Sequence, residues 1–379
     1  TPPDNAPASY TFSKSGNEGT ANTLDLSAYI WVPIGNTSYK PFKGTFDGNH
    51  KMITGLKVNV SVTTGSAMSA IAYAGLFGRL ASNSKVSNLG IQVNAANNAT
   101  NETGNTSTGE IEASSTTGNS NAGALAGYSE GTIENCFVSG TGTICSKSTY
   151  SYGSASSGGL IGYNGGTITH CYTTVKVVAN SFSTSYAGGI IGNIIQGSTF
   201  QIKNVYATGE VEATSTSTST SNNNYAGGIV GNYLNGTLSN ALALNKDGIT
   251  GAINTNNERC GVGRITGFIP KDKESDLTAC YASTKIRMNG KVKGESKYYD
   301  YQGNLSDAYH FIDGLTADTE TDLSALFPTT GEGAAWASGE SGCLPILAGF
   351  TGITQPQTAI ADYLDAPLDL MPATSTQDN

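Results

Sequence analysis

The chain has 379 residues, of which only 13% are charged and 48 are glycine, and its formal net charge is −9. An acidic chain without a basic face is not built for nucleic acid, and no run of 18 apolar residues offers a membrane-spanning helix. Six cysteines without a CxxC pair, and three histidines, give no structural zinc pattern.

Average globular domains carry about 25% charged residues. Here neutral Ser, Thr and Asn cover the surface instead, as is common in extracellular β-rich proteins. The opening "TPPDNAPASY" has no Met, no apolar signal core and no lipidation cysteine. A secretion signal, with or without a lipid anchor, is therefore expected to have been removed, which points to an extracellular or outer-membrane surface location.

In chain order, residues 1–73 read as an N-terminal β cap with the first coil. Within them, "LDLSAYIWVPIGNTSYKPFKGTFDGNHKMITGLKV" (24–58) suggests strands joined by a turn at Asp47 to Asn49. Asp47 fits an Asx-type turn better than a calcium ligand.

Residues 74–283 form a repeat. "AGLFGRL" from Ala74 returns as "AGALAGY" from Ala122, "GGLIGYN" from Gly158, "GGIIGNI" from Gly188, "GGIVGNY" from Gly227 and a degraded "CGVGRIT" from Cys260. A second phrase follows each or precedes the next, such as "TIENCFVSG", "TITHCYTTV" and "QIKNVYATG". The apolar runs are short, β-branched and glycine-punctuated, so they predict strands, and strands in register over six copies predict a parallel β-solenoid. "GVGRITG" (261–267) sits in this register and opens no helix, so it is not a phosphate loop. The other glycines mark close approach of stacked backbones.

Aligning the second phrase assigns its faces. The columns Leu89, Cys136, Cys171, Val205, Ala241, Cys280 and Ile91, Val138, Thr173, Ala207, Ala243, Ala282 are small and mostly apolar, so they point inward. The column between them, Gly90, Phe137, Tyr172, Tyr206, Leu242, Tyr281, points outward. Cys136 and Cys171 are expected to be buried free thiols in adjacent coils. Phe137, Tyr172, Tyr206 and Tyr281 then form a ladder, which either binds a ligand through its aromatic faces or packs beneath the loops. It is the candidate ligand-binding site. Glu110 with Glu112, and Glu210 with Glu212, read as solvated strand-face acids rather than paired catalytic carboxylates, and His170 as a corner substitution for the repeat's Asn.

Residues 284–350 are expected to cap the C-terminal end, beginning with a hairpin turning at Asn289-Gly290 whose alternating Lys and Arg would guard an edge. "TDLSALF" (321–327) is the one stretch with helical spacing. Residues 351–379 read as a polar tail.

"GGLIGYNGGTITHCY" and "YAGGIIGN…IKNVYATGEV" resemble the GLUG repeat of bacterial surface proteins. The flanking "IWVPIG", "FKGTFDGNHKMITGLKV" and the closing "W…LPIL" from Trp336 are similar to segments that border such repeats. The resemblance implies an all-β fold, a right-handed parallel β-helix with N- and C-terminal caps, in an adhesin-like protein on the cell surface. It transfers no catalytic, cofactor-binding or metal-ligating residue. The expectation is a monomeric, non-catalytic protein binding a glycan or a host or neighbour protein, with no nucleic-acid partner, no membrane-spanning segment and no cofactor. Alternatives are a polysaccharide-active β-helix hydrolase or lyase, or a purely structural display stalk.

Overall fold

The structure is a computed structural model that describes residues 22–364, apart from 38, 66–69, 95–109, 196, 198–199, 217–222, 252–259, 290–309, 313–314, 318–321 and 332. Four strands make one coil. The first coil runs through Thr45–Thr54, Val58–Val62, Ala72–Ala74 and Phe77–Leu80, and the same order recurs through the sixth, which ends at Thr266–Ile269. Like strands of successive coils pair in parallel into four long sheets with 9, 6, 6 and 7 strands. The chain is thus a parallel β-helix.

The repeat contains four strands where the sequence showed two apolar runs. One extra strand arises because the glycine phrase is bent in its middle. Ser120–Gly123 lies in the third sheet and Ala126–Ser129 in the fourth, for example. The other lies in what read as a polar connection, as in Thr143–Ser148 of the second sheet. Serines pass as loop residues in composition, but Ser146 and Ser148 are buried and paired in register with Ala179 and Ser181.

Both inward columns sit in the solenoid core, and Cys136 pairs in register with Cys171. Both thiols are free and buried. Burial pushes the Cys171 thiol well above its ordinary pKa. The bend glycines work by close approach. A Cβ at Gly188 would lie 2.0 Å from the Ile191 carbonyl oxygen and 2.6 Å from the Gly231 amide nitrogen.

A second device bends the first sheet. Asn88, Asn135, His170, Asn204, Asn240 and Ala279 occupy one register position, each with φ between 50° and 55°. Asn tolerates this left-handed geometry better than most residues, which explains its recurrence. Its side chains also bond from coil to coil. Asn240 donates to Asn204 (2.9 Å), Asn204 to the His170 Nε2 (2.9 Å), Asn135 to Asn88 (2.7 Å) and Asn88 to Asp47 (3.0 Å).

The N-terminal segment differs from its expectation. Thr45–Thr54 is one strand with a bulge between Asp47 and Lys51, not two strands of a hairpin. The Asx-type turn is present inside that bulge, where the Asn49 amide donates to Asp47 Oδ1 at 2.9 Å. Residues before it form a partial coil beneath the first, with Trp31 bridged to Val58 and Ile34 to Phe77.

The C-terminal half differs more. Met288 bridges Ile249 in parallel, so the first arm of the expected hairpin stacks as one more coil segment; the second arm lies outside the described residues. Residues 322–364 do not cap the end. They return along the outside of the first sheet, with a short helix Leu323–Leu326 started by the Asp322 side chain and an antiparallel pair, Trp336–Ala337 with Ile346–Leu347. The expected polar tail is part of this clasp up to Leu364, since Gln355, Thr358 and Leu364 are buried. Residues 365–379 lie outside the described residues.

Candidate functional site

The outward direction of the aromatic ladder is borne out, but its exposure is not. Phe137, Tyr172 and Tyr206 stack at 5.2 and 4.7 Å between ring centroids and are completely buried. The clasp covers them. Phe350 meets Phe137 at 5.1 Å, and Trp336 and Phe327 lie 5.7 and 5.6 Å from Tyr206. Tyr172 donates to Gln355 Oε1 (2.9 Å) and Tyr206 to the Pro345 carbonyl (3.2 Å). Burial raises both phenols well above their ordinary pKa. Tyr281 is half-buried against the same cluster. Gly90 is no tolerated gap, because a Cβ there would sit 2.5 Å from the Phe137 ring. The ladder is a seam between solenoid and clasp.

The other candidates also find places. Glu210 and Glu212 bracket Lys176 of the preceding coil at 2.9 and 3.9 Å, on either side of inward Val211. Glu112 is buried, so that part of the strand face is not solvated as expected. His170 stands in the asparagine column, and burial lowers its pKa. His50 packs edge-on against Phe350 of the clasp at 5.2 Å. His310 begins a strand whose side chains lie outside the described residues. Among the described residues no group of three or more His, Cys, Asp or Glu could hold a metal ion.

A second aromatic array, missed in the sequence, lies on the outer faces of the third and fourth sheets. The third sheet presents Tyr73, Asn121, Ser156, Tyr186, Tyr225 and Gly261 in one register column. The fourth presents Arg79, Tyr128, Tyr163, Asn193, Asn232 and Phe268 in another. From the second coil to the sixth, each coil places one ring in one column and a small residue in the other. In the first coil the Arg79 guanidinium lies over the rings of Tyr73 and Tyr128, 5.4 and 4.1 Å from their centroids.

The rings form a stripe across six coils. Tyr73, Tyr128 and Tyr163 meet edge to face at 6.1 and 5.7 Å, and Tyr186, Tyr225 and Phe268 stack at 5.7 and 4.8 Å. Five strand spacings of about 4.8 Å make the stripe about 24 Å long. Tyr128, Tyr163 and Tyr186 are half-buried, unlike the sealed ladder. Tyr128 donates to Glu130 at 2.7 Å, and burial together with that carboxylate raises its pKa. Burial pushes Tyr186 up to about 12. These tyrosines are neutral hydrogen-bonding groups at ordinary pH. The signal was present in the sequence as a compensation seven residues apart, Asn121/Tyr128 and Ser156/Tyr163 against Tyr186/Asn193 and Tyr225/Asn232. Comparing one column at a time hides it.

Residues 118–144 match the family model described as the GLUG motif. No curated protein matches the sequence. A solved structure from Bacteroides ovatus, described as a "putative immunoglobulin A1 protease", is similar with a TM-score of 0.56 and 22% identity, over 86% of this chain and 83% of that one. At this identity the likeness shows a shared fold. The chain is a parallel β-solenoid that carries a match to the GLUG motif at residues 118–144.

Proposed function

We propose that this protein is a non-catalytic, adhesin-like binding protein of the bacterial surface, and that the stripe on its third and fourth sheets is the contact face. The observation that carries this is the row of half-buried Tyr128, Tyr163 and Tyr186, held in register by a rigid solenoid. Tyrosine supplies large contact area with one polar end, at little cost in conformational freedom. The ladder first considered for this role is sealed by the clasp, which leaves the half-buried stripe as the more accessible aromatic face. The acids and lysines of the described residues are spread through surface ion pairs such as Lys85–Glu134 and Lys176–Glu210, as in a solvated display surface.

The test is retention of the full chain on immobilised extracellular polysaccharide, protein and whole-cell layers. Tyr128→Ala with Tyr163→Ala is expected to weaken retention about tenfold or more, since two ring contacts are lost, while the chain stays folded by circular dichroism at the assay temperature despite a lowered melting temperature. Parallel incubation should release neither new reducing ends nor peptide fragments. Release of products, or unchanged retention of the double variant, would overturn the reading.

A further inference from the structure

The stripe's chemistry narrows what it holds, granted the reading of this chain as a binding protein. We infer that its ligand is a neutral, linear glycan laid along the solenoid axis.

The first ground is repetition. From the second to the fifth coil the outward pair is a tyrosine and an amide or hydroxyl: Tyr128 with Asn121, Tyr163 with Ser156, Tyr186 with Asn193, Tyr225 with Asn232. Successive pairs lie one strand spacing apart, about 4.8 Å, with ring and polar group exchanging columns between the third and fourth coils. A ligand that engages several pairs at once must be extended and must repeat as well. A protein surface without a strand ladder of its own offers no such periodicity.

The second ground is charge. Across these four pairs no side chain carries a formal charge. At the N-terminal end of the stripe, the Arg79 guanidinium is stacked on Tyr128, and the Tyr128 hydroxyl is bonded to Glu130. Neutral amides, hydroxyls and phenols complement neutral hydroxyls, whereas an anionic polymer would call for free cations along the stripe. Rings beside amides also match the two faces of a sugar, one apolar with C–H groups and one hydroxylated.

The third ground is unused hydrogen-bonding capacity. The Asn232 side chain is 6% exposed; its Nδ2 donates to Asn193 Oδ1 at 2.8 Å, while its own Oδ1 has no hydrogen-bond partner. Ser156 Oγ, one column over, is likewise without one. Buried polar atoms are almost always satisfied, and leaving one unmade is costly. Both lie in the small-residue positions of the stripe, where an ordered water bridging to ligand hydroxyls would complete them.

The experiment is a binding isotherm for the full chain against an array of neutral gluco-, galacto-, manno- and xylo-configured oligosaccharides, from disaccharide to hexasaccharide. At least one series should bind, with affinity rising with length and little changed between low and high salt. Tyr163→Ala should lower that affinity about tenfold, Tyr163→Phe should keep most of it, and Asn232→Leu should lower it about tenfold. No binding by any series, affinity independent of length, or affinity that collapses with salt would overturn the glycan assignment. If the chain is still retained on protein layers in a Tyr128- and Tyr163-dependent way, the binding function stands and the ligand is a protein. If retention is lost on every layer, the functional reading fails with it.

Discussion

At the residue scale, the left-handed column of the first sheet sets both a bend and a hydrogen-bond direction. Each asparagine donates toward the N-terminal end, and the last acceptor is the Asp47 carboxylate. Bonds from the Asn49 amide and Asn88 hold that carboxyl below its usual range. His170 can join the column only when neutral, with Nε2 accepting from Asn204. Burial opposes its protonation and outweighs the opposite pull of the Glu134 carboxylate, while Lys203 adds a smaller push in the same direction as burial. The folded pKa therefore lies below the unfolded value of about 6.5, and the unfolded chain takes up the proton first. Stability from this residue is full above about pH 6.5 and declines as pH falls toward the folded pKa. His170→Asn should remove that part of the acid sensitivity while matching or exceeding wild-type stability at neutral pH. Denaturant midpoints measured from neutral to mildly acidic pH check this; a parallel acid dependence in the variant would place the sensitivity elsewhere.

At the element scale, the glycine phrase is two strands with a sharp bend between them, and adjacent coils keep their backbone bonds through it, as in Leu160 to Ile190 and Ile190 to Ile229. The contacts that a side chain at Gly188 would meet are backbone atoms, which cannot swing away. Gly188→Ala is therefore expected to cost about 3 kcal/mol or more, at the upper end of overpacking effects. Loss of soluble folded protein or a sharply lowered midpoint is the expected result, and near-wild-type stability would show that the bend has slack. The glycine repeat and inward columns were legible in the sequence because they obey a single-column rule. The second-sheet strands were not, because stacked serines can satisfy their hydroxyls by bonds across coils, as Ser148 does to the Gly118 carbonyl and Ser181 to the Gly153 carbonyl. Composition alone reads such strands as loops.

At the scale of the whole molecule, the clasp changes how the solenoid holds together. In a simple stack each coil touches only its neighbours, so unfolding can proceed from either end. Here residues 322–364 reach both ends. Asn22 bonds to the Thr351 carbonyl, and Lys285 to the Ala361 carbonyl at 2.8 Å. Between them lies a second apolar core, with Trp336, Phe327 and Phe350 over the ladder. Removing residues 322–379 should lower the thermal midpoint and split one transition into several. It should also make the protein bind an apolar fluorescent dye through the uncovered Phe137, Tyr172 and Tyr206. Calorimetry and dye titration read this out, and a single transition at the wild-type midpoint would mean the clasp is a passive cover.

The sequence by itself determined the solenoid, its register and which columns face inward, because strand alternation and glycine sterics act locally and repeat in every coil. It also determined that an aromatic column points outward from the first sheet. Only the tertiary structure decided what becomes of the outward columns. Burial of that ladder depends on a segment over a hundred residues away returning to cover it. The tyrosine stripe depends on two columns in different sheets sharing one space, ring against small residue, which the bend between those sheets brings together.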